Sequence, residues 1–432
     1  MRKRLFFLFY LLVSGGLSLL LYPLVMALSS LSIIPKHVRK RFWPEKRPLP
    51  AKSRPRIWVH ALSLGEMYSA FPLLDELQKY PVELVCTAST RSGMAAVQKA
   101  YSGKVADIRF FPLDHPLAVI RTMEDLDPDF FILVETDLWP FFMHRLTEKG
   151  IPSLWVNVRI SEKTLKGYSR LSFLMKSAIN AFTGVMPQGA LDLERLKILG
   201  LFPEKILPAG NLKLDRKIPD SSRENIADIR DFLGDCTDRF IWICGSLHLE
   251  EIEFVAKIFS SKAFGERKTL CLLVPRYPDE SPAFLAFLEK EGISASIVSE
   301  KEKLDTESVL IIDRMGILAD LYSLGNAAFV GGSAAPLRGH NPLEPAMAGI
   351  PVMMGTHHED CLDSFTGLLE EGAARLIKTP EDAMQCLSFW MDNPEKRIES
   401  GMAGKNFVEK NKGATGRAVR FVMEHLRPNF NR

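Results

Sequence analysis

The amino-acid sequence predicts an α/β protein with two doubly wound, Rossmann-like domains and a membrane segment at the N-terminus. Two observations predict the domains. Short, almost continuously apolar runs alternate with stretches of helical spacing, a pattern typical of parallel sheets covered on both faces. The same rhythm begins again after residues 208–215, so we expect two sheets. A third observation, a long uncharged stretch near the N-terminus, predicts the membrane segment.

The uncharged stretch covers residues 5–35 and is longer than the roughly 20 residues that a helix needs to cross a bilayer. A cleaved signal peptide would have a shorter apolar region that ends in small residues, which the sequence before Lys36 does not offer. We therefore expect residues 1–47 to be a retained anchor with its basic flank. A bent segment lying in the membrane interface is the alternative.

The distribution of charge points to a membrane surface as a partner. Residues 1–47 hold nine Lys or Arg and one acid, while the whole chain has a formal net charge of +3. The remainder is net acidic, which argues against nucleic acid as a partner. The basic residues that follow the apolar stretch favour a body on the cytoplasmic side of the inner membrane. The six cysteines are scattered without a C-x-x-C pair and indicate reduced thiols.

Each predicted domain contains several apolar runs. After a proline-rich linker, the first domain is expected over residues 48–210, with strands at 56–60, 82–86, 130–134 and 154–157. The second is expected over residues 211–432, with strands at 240–244, 269–274, 309–312 and 328–330. Ligands of such folds bind at the carboxyl ends of the strands, so we expect a central cleft between the two domains.

Three candidate catalytic side chains belong to the first domain or to its end. Glu66 follows Gly65 at a helix start, where its carboxylate suits a general base; the alternative is a favourable acid in a first helical turn. Glu135 leaves an apolar strand and is the expected site residue, whereas Asp137 is expected to cap the next helix. Lys213 at the domain junction either offsets the charge of a phosphate donor or is a solvated hinge lysine.

Residues that suit a phosphate follow two strands of the second domain. Arg276 lies between Pro275 and Tyr277-Pro278 and can bind a phosphate or carboxylate through paired donors; a surface salt bridge is the alternative. The backbone amides of residues 244–248 could hold a phosphate, although a single glycine is weak support.

The segment from Phe329 to Pro345 carries the most information. Its glycines indicate a turn open to a ligand, and Pro342 pre-sets a helical turn whose amides can meet a phosphate. Glu344 can accept hydrogen bonds from a ribose diol. The adjacent histidines at 357 and 358 lack spaced partners, so no metal site is expected.

Taken in order, these motifs resemble those of the bacterial 3-deoxy-D-manno-octulosonic acid (Kdo) transferases of lipid A biosynthesis. The motifs are Ser63-Leu64-Gly65-Glu66, Glu135-Thr136-Asp137-Leu138-Trp139-Pro140, Gly210-Asn211-Leu212-Lys213, Pro275-Arg276, Met315-Gly316 and residues 339–345. The resemblance covers residues from about 50 to 420. It implies the GT-B fold and the transfer of Kdo from CMP-Kdo to a lipid A precursor, lipid IVA, at the inner face of the cytoplasmic membrane.

The resemblance also implies roles for individual residues. Glu66 is similar to the family's proton acceptor, and Glu135 and Lys213 match positions that stabilise the transition state. The positions that match CMP-contacting segments are Pro275, Arg276, Met315, Gly316, Ile317, Asn341, Pro342, Leu343 and Glu344. No cofactor and no metal are expected. Residues that depart from the family pattern are Leu247, Tyr277, Arg314 and Ile317, so only backbone contacts to cytosine are expected at residues 315–317.

Two other functions compete with this interpretation. One is a GT-B transferase that uses a UDP-sugar, because the fold alone does not choose the nucleotide. The other is a non-catalytic protein that binds a lipid surface. Transfer assays with both kinds of donor and substitution of Glu66 distinguish the three.

Overall fold

The computed structural model describes residues 34–215, 229–234, 239–259, 267–300 and 307–426, together with the single positions 16, 25 and 28. The described chain divides into two compact units. Residues 34–215 and 412–426 belong to the first unit, and the described residues between 229 and 411 belong to the second.

Six parallel strands of the first unit form one sheet. They are β1 (Arg56–Ala61), β2 (Glu83–Ala88), β3 (Asp107–Phe110), β4 (Phe130–Val134), β5 (Ser153–Val158) and β6 (Gly184–Pro187). Their order across the sheet is β3-β2-β1-β4-β5-β6. The four predicted strands are confirmed as β1, β2, β4 and β5, whereas β3 and β6 were not predicted.

Two hydrophobic cores cover the two faces of this sheet. Successive side chains of a strand point to opposite faces. Accordingly, Ile57 and Val59 pack into one core with Met67, and Trp58 packs into the other with Phe142. Each face of the sheet is therefore covered, as the apolar character of the strands predicted.

Helices precede, connect and follow the strands of the first sheet. The helices are α1 (Lys36–Phe42), α2 (Leu64–Leu77), α3 (Arg91–Tyr101), α4 (Pro116–Leu126), α5 (Pro140–Glu148), α6 (Glu162–Arg170), α7 (Ser172–Ile179) and α8 (Ala190–Ile198). Short 3₁₀ turns follow at Pro203–Lys205 and Leu212–Asp215. Helix α2 begins after Ser63, whose side chain accepts a hydrogen bond from the amide of Glu66.

The second unit contains a sheet of seven parallel strands. They are β7 (Phe240–Leu247), β8 (Thr269–Pro275), β9 (Ala295–Ile297), β10 (Val309–Ile311), β11 (Ala327–Val330), β12 (Val352–Met354) and β13 (Ala374–Leu376). Their order is β13-β12-β11-β7-β8-β10-β9. The predicted strands are confirmed as β7, β8, β10 and β11.

Helices also surround the second sheet. They are α9 (Ile252–Phe259), α10 (Ser281–Lys290), α11 (Leu318–Leu321), α12 (Leu343–Ala348), α13 (Leu362–Glu370), α14 (Pro380–Asp392) and α15 (Pro394–Asn411). 3₁₀ turns lie at Leu249–Glu251, Pro278–Glu280, Val298–Glu300 and Tyr322–Leu324. Alternate residues of β7 again serve two cores, with Trp242 in one and Ile243 in the other.

The last helix, α16 (Ala414–His425), belongs to the first unit, so the predicted second domain over residues 211–432 extends too far. Ala418 and Val422 of α16 are buried in the same core as Met67 of α2. The carboxylate of Asp215 accepts hydrogen bonds from the amides of Gly413 and Thr415. The chain therefore leaves the first unit after Asp215 and returns to it at the start of α16.

The predicted membrane segment, residues 5–35, lies almost entirely outside the described residues. None of the helices in the described part of the chain has the length and apolar character needed to cross a bilayer. Helix α1, which follows the segment, lies against the first unit: the amide of Leu113 donates to the carbonyl of Arg41, and His115 Nε2 lies 2.7 Å from the carbonyl oxygen of Phe42.

Candidate active site

The three predicted catalytic residues come together at the carboxyl edge of the first sheet. Glu66 is in the first turn of α2, directly after β1, and Glu135 directly follows β4. Lys213 is in the 3₁₀ turn Leu212–Asp215, and its Nζ lies 3.2 Å from Glu135 Oε1. Ser69 connects the two acids, because it lies one helical turn after Glu66 on α2 and donates to Glu135 Oε1 at 2.7 Å.

Glu66 is buried, with 7% of its surface exposed, and both of its carboxylate oxygens accept hydrogen bonds. The amide of Leu62 donates to Oε2 at 2.6 Å, and the hydroxyl of Thr136 donates to Oε1. Burial raises the pKa of Glu66 to about 7; the nearby charges of Glu135 and Asp137 act in the same direction, while the two hydrogen bonds oppose the rise. A carboxylate with a pKa near neutrality can accept a proton at physiological pH and hold it.

Glu135 is equally buried but has a different set of partners. Its Oε1 accepts hydrogen bonds from Ser69 and from Asn157 Nδ2, the latter at 2.9 Å, and pairs with Lys213. Burial by itself would raise the pKa of Glu135, but the Lys213 ammonium and the Ser69 hydrogen bond outweigh it and hold the pKa below its usual value. Glu135 is therefore ionised at neutral pH and pairs with Lys213.

Asp137 does not cap the next helix, so that interpretation of the sequence was wrong. Helix α5 begins with Trp139 in the N-cap position and has no side-chain cap. Asp137 Oδ2 instead lies 2.9 Å from His60 Nε2 and accepts from Ser89 Oγ at 3.0 Å. Burial acts to raise the pKa of Asp137, but the hydrogen bond and charge of His60 lower it overall. Because an ionised carboxylate can only accept, His60 Nε2 is the donor.

Sequence reasoning missed Asn157, which holds the lysine segment in place. Its side chain is fully buried at the end of β5, where it donates to Glu135 and accepts from the amide of Leu212 at 3.0 Å. Asn157 also has a positive φ of 55°. The available signal was a polar residue inside an otherwise apolar strand, since a buried amide must find partners.

In the second unit, Arg276 lies directly after β8 at the carboxyl edge of the sheet. Its amide donates to the carbonyl of Leu247, which fixes the backbone, while its side chain is exposed. Among the described residues, no carboxylate lies within 4.0 Å of its guanidinium. The alternative of a surface salt bridge is therefore not supported within the described chain, and the guanidinium is accessible to an anion.

The turn at residues 332–334 is not open to a ligand through its amides, contrary to the expectation from the sequence; the amides of the helical turn at Pro342, which were predicted to meet a phosphate, are separate from these. Glu251 is buried, and its carboxylate accepts from the amides of Gly332, Ser333 and Ala334 at 2.7, 2.9 and 2.9 Å. It also accepts from the amide of His248 at 3.1 Å, so the second proposed phosphate loop is occupied in part as well. A carboxylate of the chain itself therefore takes the place that an anionic ligand would need.

Two histidines lie at this edge of the second sheet. His248 and His340 stack with ring planes 11° apart, and their Nε2 atoms are 2.8 Å from each other. Burial, followed by the charges of Arg276 and His248, lowers the pKa of His340 to about 4. His340 is therefore neutral at physiological pH, and one of the two rings donates a hydrogen bond to the other.

The remaining predicted nucleotide contacts lie in two loops of the second unit. Asn341 accepts from the amide of Leu343 at 3.2 Å, and its Nδ2 lies 3.4 Å from Glu344 Oε1, so the segment before α12 is held by its own side chains. Met315 is 70% exposed, whereas Ile317 is buried in the core. At residues 315–317 the backbone, together with the Met315 side chain, is what a ligand can reach.

Within the described residues, no group of three or more His, Cys, Asp or Glu side chains is placed to hold a metal ion. Lys213 is a cation of the first unit's site, and Arg276 is an exposed cation at the edge of the second sheet.

Comparison with known proteins identifies the family. Residues 36–216 match the family model described as 3-deoxy-D-manno-octulosonic-acid transferase (kdotransferase). A 3-deoxy-D-manno-octulosonic acid transferase of Haemophilus influenzae is 30% identical over 377 residues, which cover 86% of this chain and 88% of that protein. The protein of the same name from Chlamydia muridarum is 30% identical over 379 residues, covering 87% of this chain and 86% of the relative.

Solved structures support the fold. A glycosyltransferase from Rickettsia africae has a TM-score of 0.58 with 12% identity and covers 87% of this chain and 100% of its own. At that identity the likeness shows a Rossmann-like α/β fold of the glycosyltransferase type and nothing more specific. The sequence relatives, in contrast, match over most of both chains, and the chain therefore belongs to the 3-deoxy-D-manno-octulosonic acid transferase family and is a glycosyltransferase.

Proposed function

We propose that this protein transfers Kdo from CMP-Kdo to a lipid A precursor, lipid IVA, in lipopolysaccharide biosynthesis, with inversion at the anomeric carbon. The observation that carries the proposal is Glu66, a buried carboxylate with a pKa of about 7 at the edge of the first sheet. Family membership supports the sugar, because the relatives named above are Kdo transferases.

In the proposed reaction Glu66 accepts the proton of a glucosamine hydroxyl of the acceptor. The oxygen that loses this proton forms a bond to the anomeric carbon of Kdo, and the bond between that carbon and the phosphate oxygen breaks. CMP leaves with the bonding electrons. A base with a pKa near the working pH combines a useful ionised fraction with sufficient basicity, which is the condition for efficient proton transfer.

Positive charge stabilises the negative charge that develops on the leaving phosphate. Lys213 is held by Glu135 at 3.2 Å and is a third exposed, so part of its ammonium faces solvent. Arg276 is exposed at the edge of the second sheet. The Lys213 ammonium is already held in place by Glu135, and a charge that is held in place needs no rearrangement when the negative charge develops, which makes it effective in catalysis. The proposal uses no metal ion and no cofactor.

We assign CMP to the second unit. Arg276 after Pro275 suits the phosphate, the backbone of residues 315–317 suits the cytosine, and residues 341–344 suit the ribose through Glu344. Because Glu251 occupies the amides of residues 332–334, we assign the phosphate to the exposed guanidinium of Arg276 and not to that turn. We also propose that the body is held at the cytoplasmic face of the inner membrane by residues 1–47.

The test is a transfer assay with the full-length protein, lipid IVA and either CMP-Kdo or UDP-sugars. We expect product only with CMP-Kdo, detected by mass. Glu66→Gln should lower kcat by about 10²-fold or more, the scale of a lost general base. Transfer only from UDP-sugars would contradict the donor.

Two controls complete the assay. Glu148→Gln, at an exposed acid of the same unit that pairs with Arg145, should retain the wild-type rate. A wild-type rate for Glu66→Gln would remove Glu66 from the mechanism. The absence of transfer from every donor, with retained binding to lipid vesicles, would favour the non-catalytic lipid-surface protein.

A further inference from the structure

Thr136 lies in a turn with an unusual backbone. The residues on both sides of it, Glu135 and Asp137, have positive φ values of 60° and 78°. Non-glycine residues are uncommon in this left-handed region and remain there only when their surroundings enforce it. The turn therefore has a shape that the rest of the first unit imposes.

Glu135 is anchored through both its backbone and its side chain. Its amide donates to the carbonyl of Val156 at 2.9 Å, and its carbonyl accepts from the indole of Trp155 at 2.9 Å. Its carboxylate is held by Ser69, Asn157 and Lys213 at 2.7, 2.9 and 3.2 Å. These partners come from α2, from β5 and from the 3₁₀ turn Leu212–Asp215, so three separate elements define the position of this residue.

Asp137 is anchored by residues of β1 and of the segment after β2. Its carboxylate accepts from His60 at the end of β1 and from Ser89 just after β2. His60 is in turn fixed, because its Nδ1 lies 3.0 Å from Thr87 and its ring stacks on Phe111 with centroids 3.8 Å apart. Both neighbours of Thr136 are therefore immobilised independently of Thr136.

Thr136 lies between these two anchored acids, so its side chain has a fixed direction. The Thr136 hydroxyl donates to Glu66 Oε1, while the amide of Leu62 donates to Oε2. An ionised carboxylate with one fixed donor on each oxygen has a defined plane and a defined direction for its remaining lone pairs.

We propose that Thr136 is a positioning residue for sugar transfer: the Glu135-Thr136-Asp137 turn directs its hydroxyl at Glu66, orienting that carboxylate and stabilising its ionised form. This inference rests on the proposed role of Glu66 as the base. It adds a function for Thr136 and for the two anchored acids, which hold the threonine in place as well as acting through charge.

The charged groups that face Glu66 determine the sign of the expected effect. Burial, Glu135 and Asp137 raise the pKa of Glu66, and the hydrogen bonds of Thr136 and Leu62 lower it. Lys213 and His60 are paired with the two acids. Removing the hydroxyl takes away the hydrogen bond to Oε1 that lowers the pKa, while burial and the two acids still raise it. The pKa of Glu66 should therefore rise, and a higher pH is needed to ionise it.

The experiment compares Thr136→Val, which keeps the branched shape and removes the hydroxyl, with Thr136→Ser, which keeps the hydroxyl. We expect the acid limb of the kcat profile of Thr136→Val to move up by about one pH unit, the scale of one hydrogen bond to a charged group. At pH 6 its kcat should be roughly tenfold below the wild-type value, and near pH 9 the two should converge. Thr136→Ser should retain the wild-type midpoint.

Three results would overturn the proposal: an unchanged profile for Thr136→Val, a uniform loss at every pH with an unchanged midpoint, or equal behaviour of the valine and serine variants. Thr136 is half-buried, and thermal unfolding of each variant checks the fold. If Thr136→Val does not fold, Thr136→Ala is measured in the same way. Glu66→Gln is assayed in parallel, because a wild-type rate for that variant refutes the base itself and not the role of Thr136.

Discussion

Glu66 and Glu135 show how two buried glutamates on one sheet edge acquire different properties. Both are more than nine-tenths buried, and both accept hydrogen bonds. Glu135 has an ammonium partner, whereas the partners of Glu66 are an amide and a hydroxyl. When two environments shift the pKa values of two carboxyl groups in opposite directions, the group with the raised pKa can accept a proton and the group with the lowered pKa stays ionised. Here these are Glu66 and Glu135. The pairing of Glu135 with Lys213, together with the Ser69 hydrogen bond, therefore accounts for the lower pKa of Glu135.

This separation predicts a gain of stability when Glu66 is neutralised. The folded pKa of Glu66, about 7, lies above its usual value of 4.5, so ionisation opposes folding. This loss of folding stability is absent below pH 4.5 and reaches its full size above pH 7. Glu66→Gln should therefore be more stable than the wild type at pH 8, by on the order of 3 kcal/mol, and similar to it near pH 4.5.

Urea unfolding of both proteins at the two pH values measures this difference. Glu148→Gln is the matched control, since Glu148 is exposed and should change stability by less than about 0.5 kcal/mol at either pH. A stability difference for Glu66→Gln that does not depend on pH would contradict the assigned pKa.

At this scale the sequence identified the three candidate residues that the structure brings together, but not the partners that hold them. Glu66, Glu135 and Lys213 follow strands or lie at a domain junction, and charged groups at such places are recognisable in one dimension. Ser69, Ser89 and Asn157 are ordinary polar residues in the sequence. Their roles depend on which strands are neighbours, and this is determined by tertiary packing. The contact between Glu251 and the amides of residues 332–334 could not be predicted for the same reason, because the acid precedes these amides by about eighty residues.

The packing of helix α16 against α2 is the main finding at the level of elements. Val422 and Ala418 are fully buried in one core with Met67 and Leu74 of α2. An amphipathic pattern indicates that one helix face is buried but does not show against which domain. The sequence therefore offered no reason to separate residues 412–426 from the domain that precedes them, and they were wrongly assigned to the second domain.

A substitution in α16 should therefore weaken the unit that carries Glu66. We expect Val422→Ala to lower the free energy of unfolding by about 2 kcal/mol, since it removes two buried methyl groups and leaves a cavity. Arg420→Ala on the exposed side of the same helix is the control and should change stability by less than about 0.5 kcal/mol. Denaturant unfolding monitored by tryptophan fluorescence measures both, and equal effects of the two substitutions would refute the assigned packing.

The strands illustrate which elements a sequence reveals. Two of the predicted strands, β4 and β8, are buried and apolar over at least five residues. The edge strand β3 is largely half-buried and contains Asp107 and Arg109, so its pattern does not stand out. Strands β9, β12 and β13 have three residues each, too few to show a periodicity. Long, buried strands are therefore the easiest to predict, although β10 was predicted from its apolar sequence with only three residues.

For the whole molecule, the N-terminal segment and the folded body can be separated experimentally. Helix α1 lies against the body through Arg41 and Phe42, so a cut before Lys36 leaves these contacts intact. We expect a protein that lacks residues 1–35 to remain folded and to leave the membrane fraction, because the apolar stretch is the proposed anchor.

Sedimentation with vesicles of acidic and of neutral lipid measures the attachment. The full-length protein should sediment with both. A truncated protein that still sediments with neutral vesicles would contradict the anchor, whereas binding to acidic vesicles alone would assign part of the attachment to the basic residues of α1.

The chain leaves the first unit after Asp215 and re-enters it at Gly413, and this has a consequence for folding during synthesis. Helix α16 packs against the helix that carries Glu66, yet it is synthesised only after the entire second unit. Synthesis runs from the N-terminus, so the core of the first unit is incomplete until the second unit has been translated. The nascent first unit must wait for α16, and a chain that terminates within the second unit would contain every proposed catalytic residue of the first unit without the helix that packs against α2.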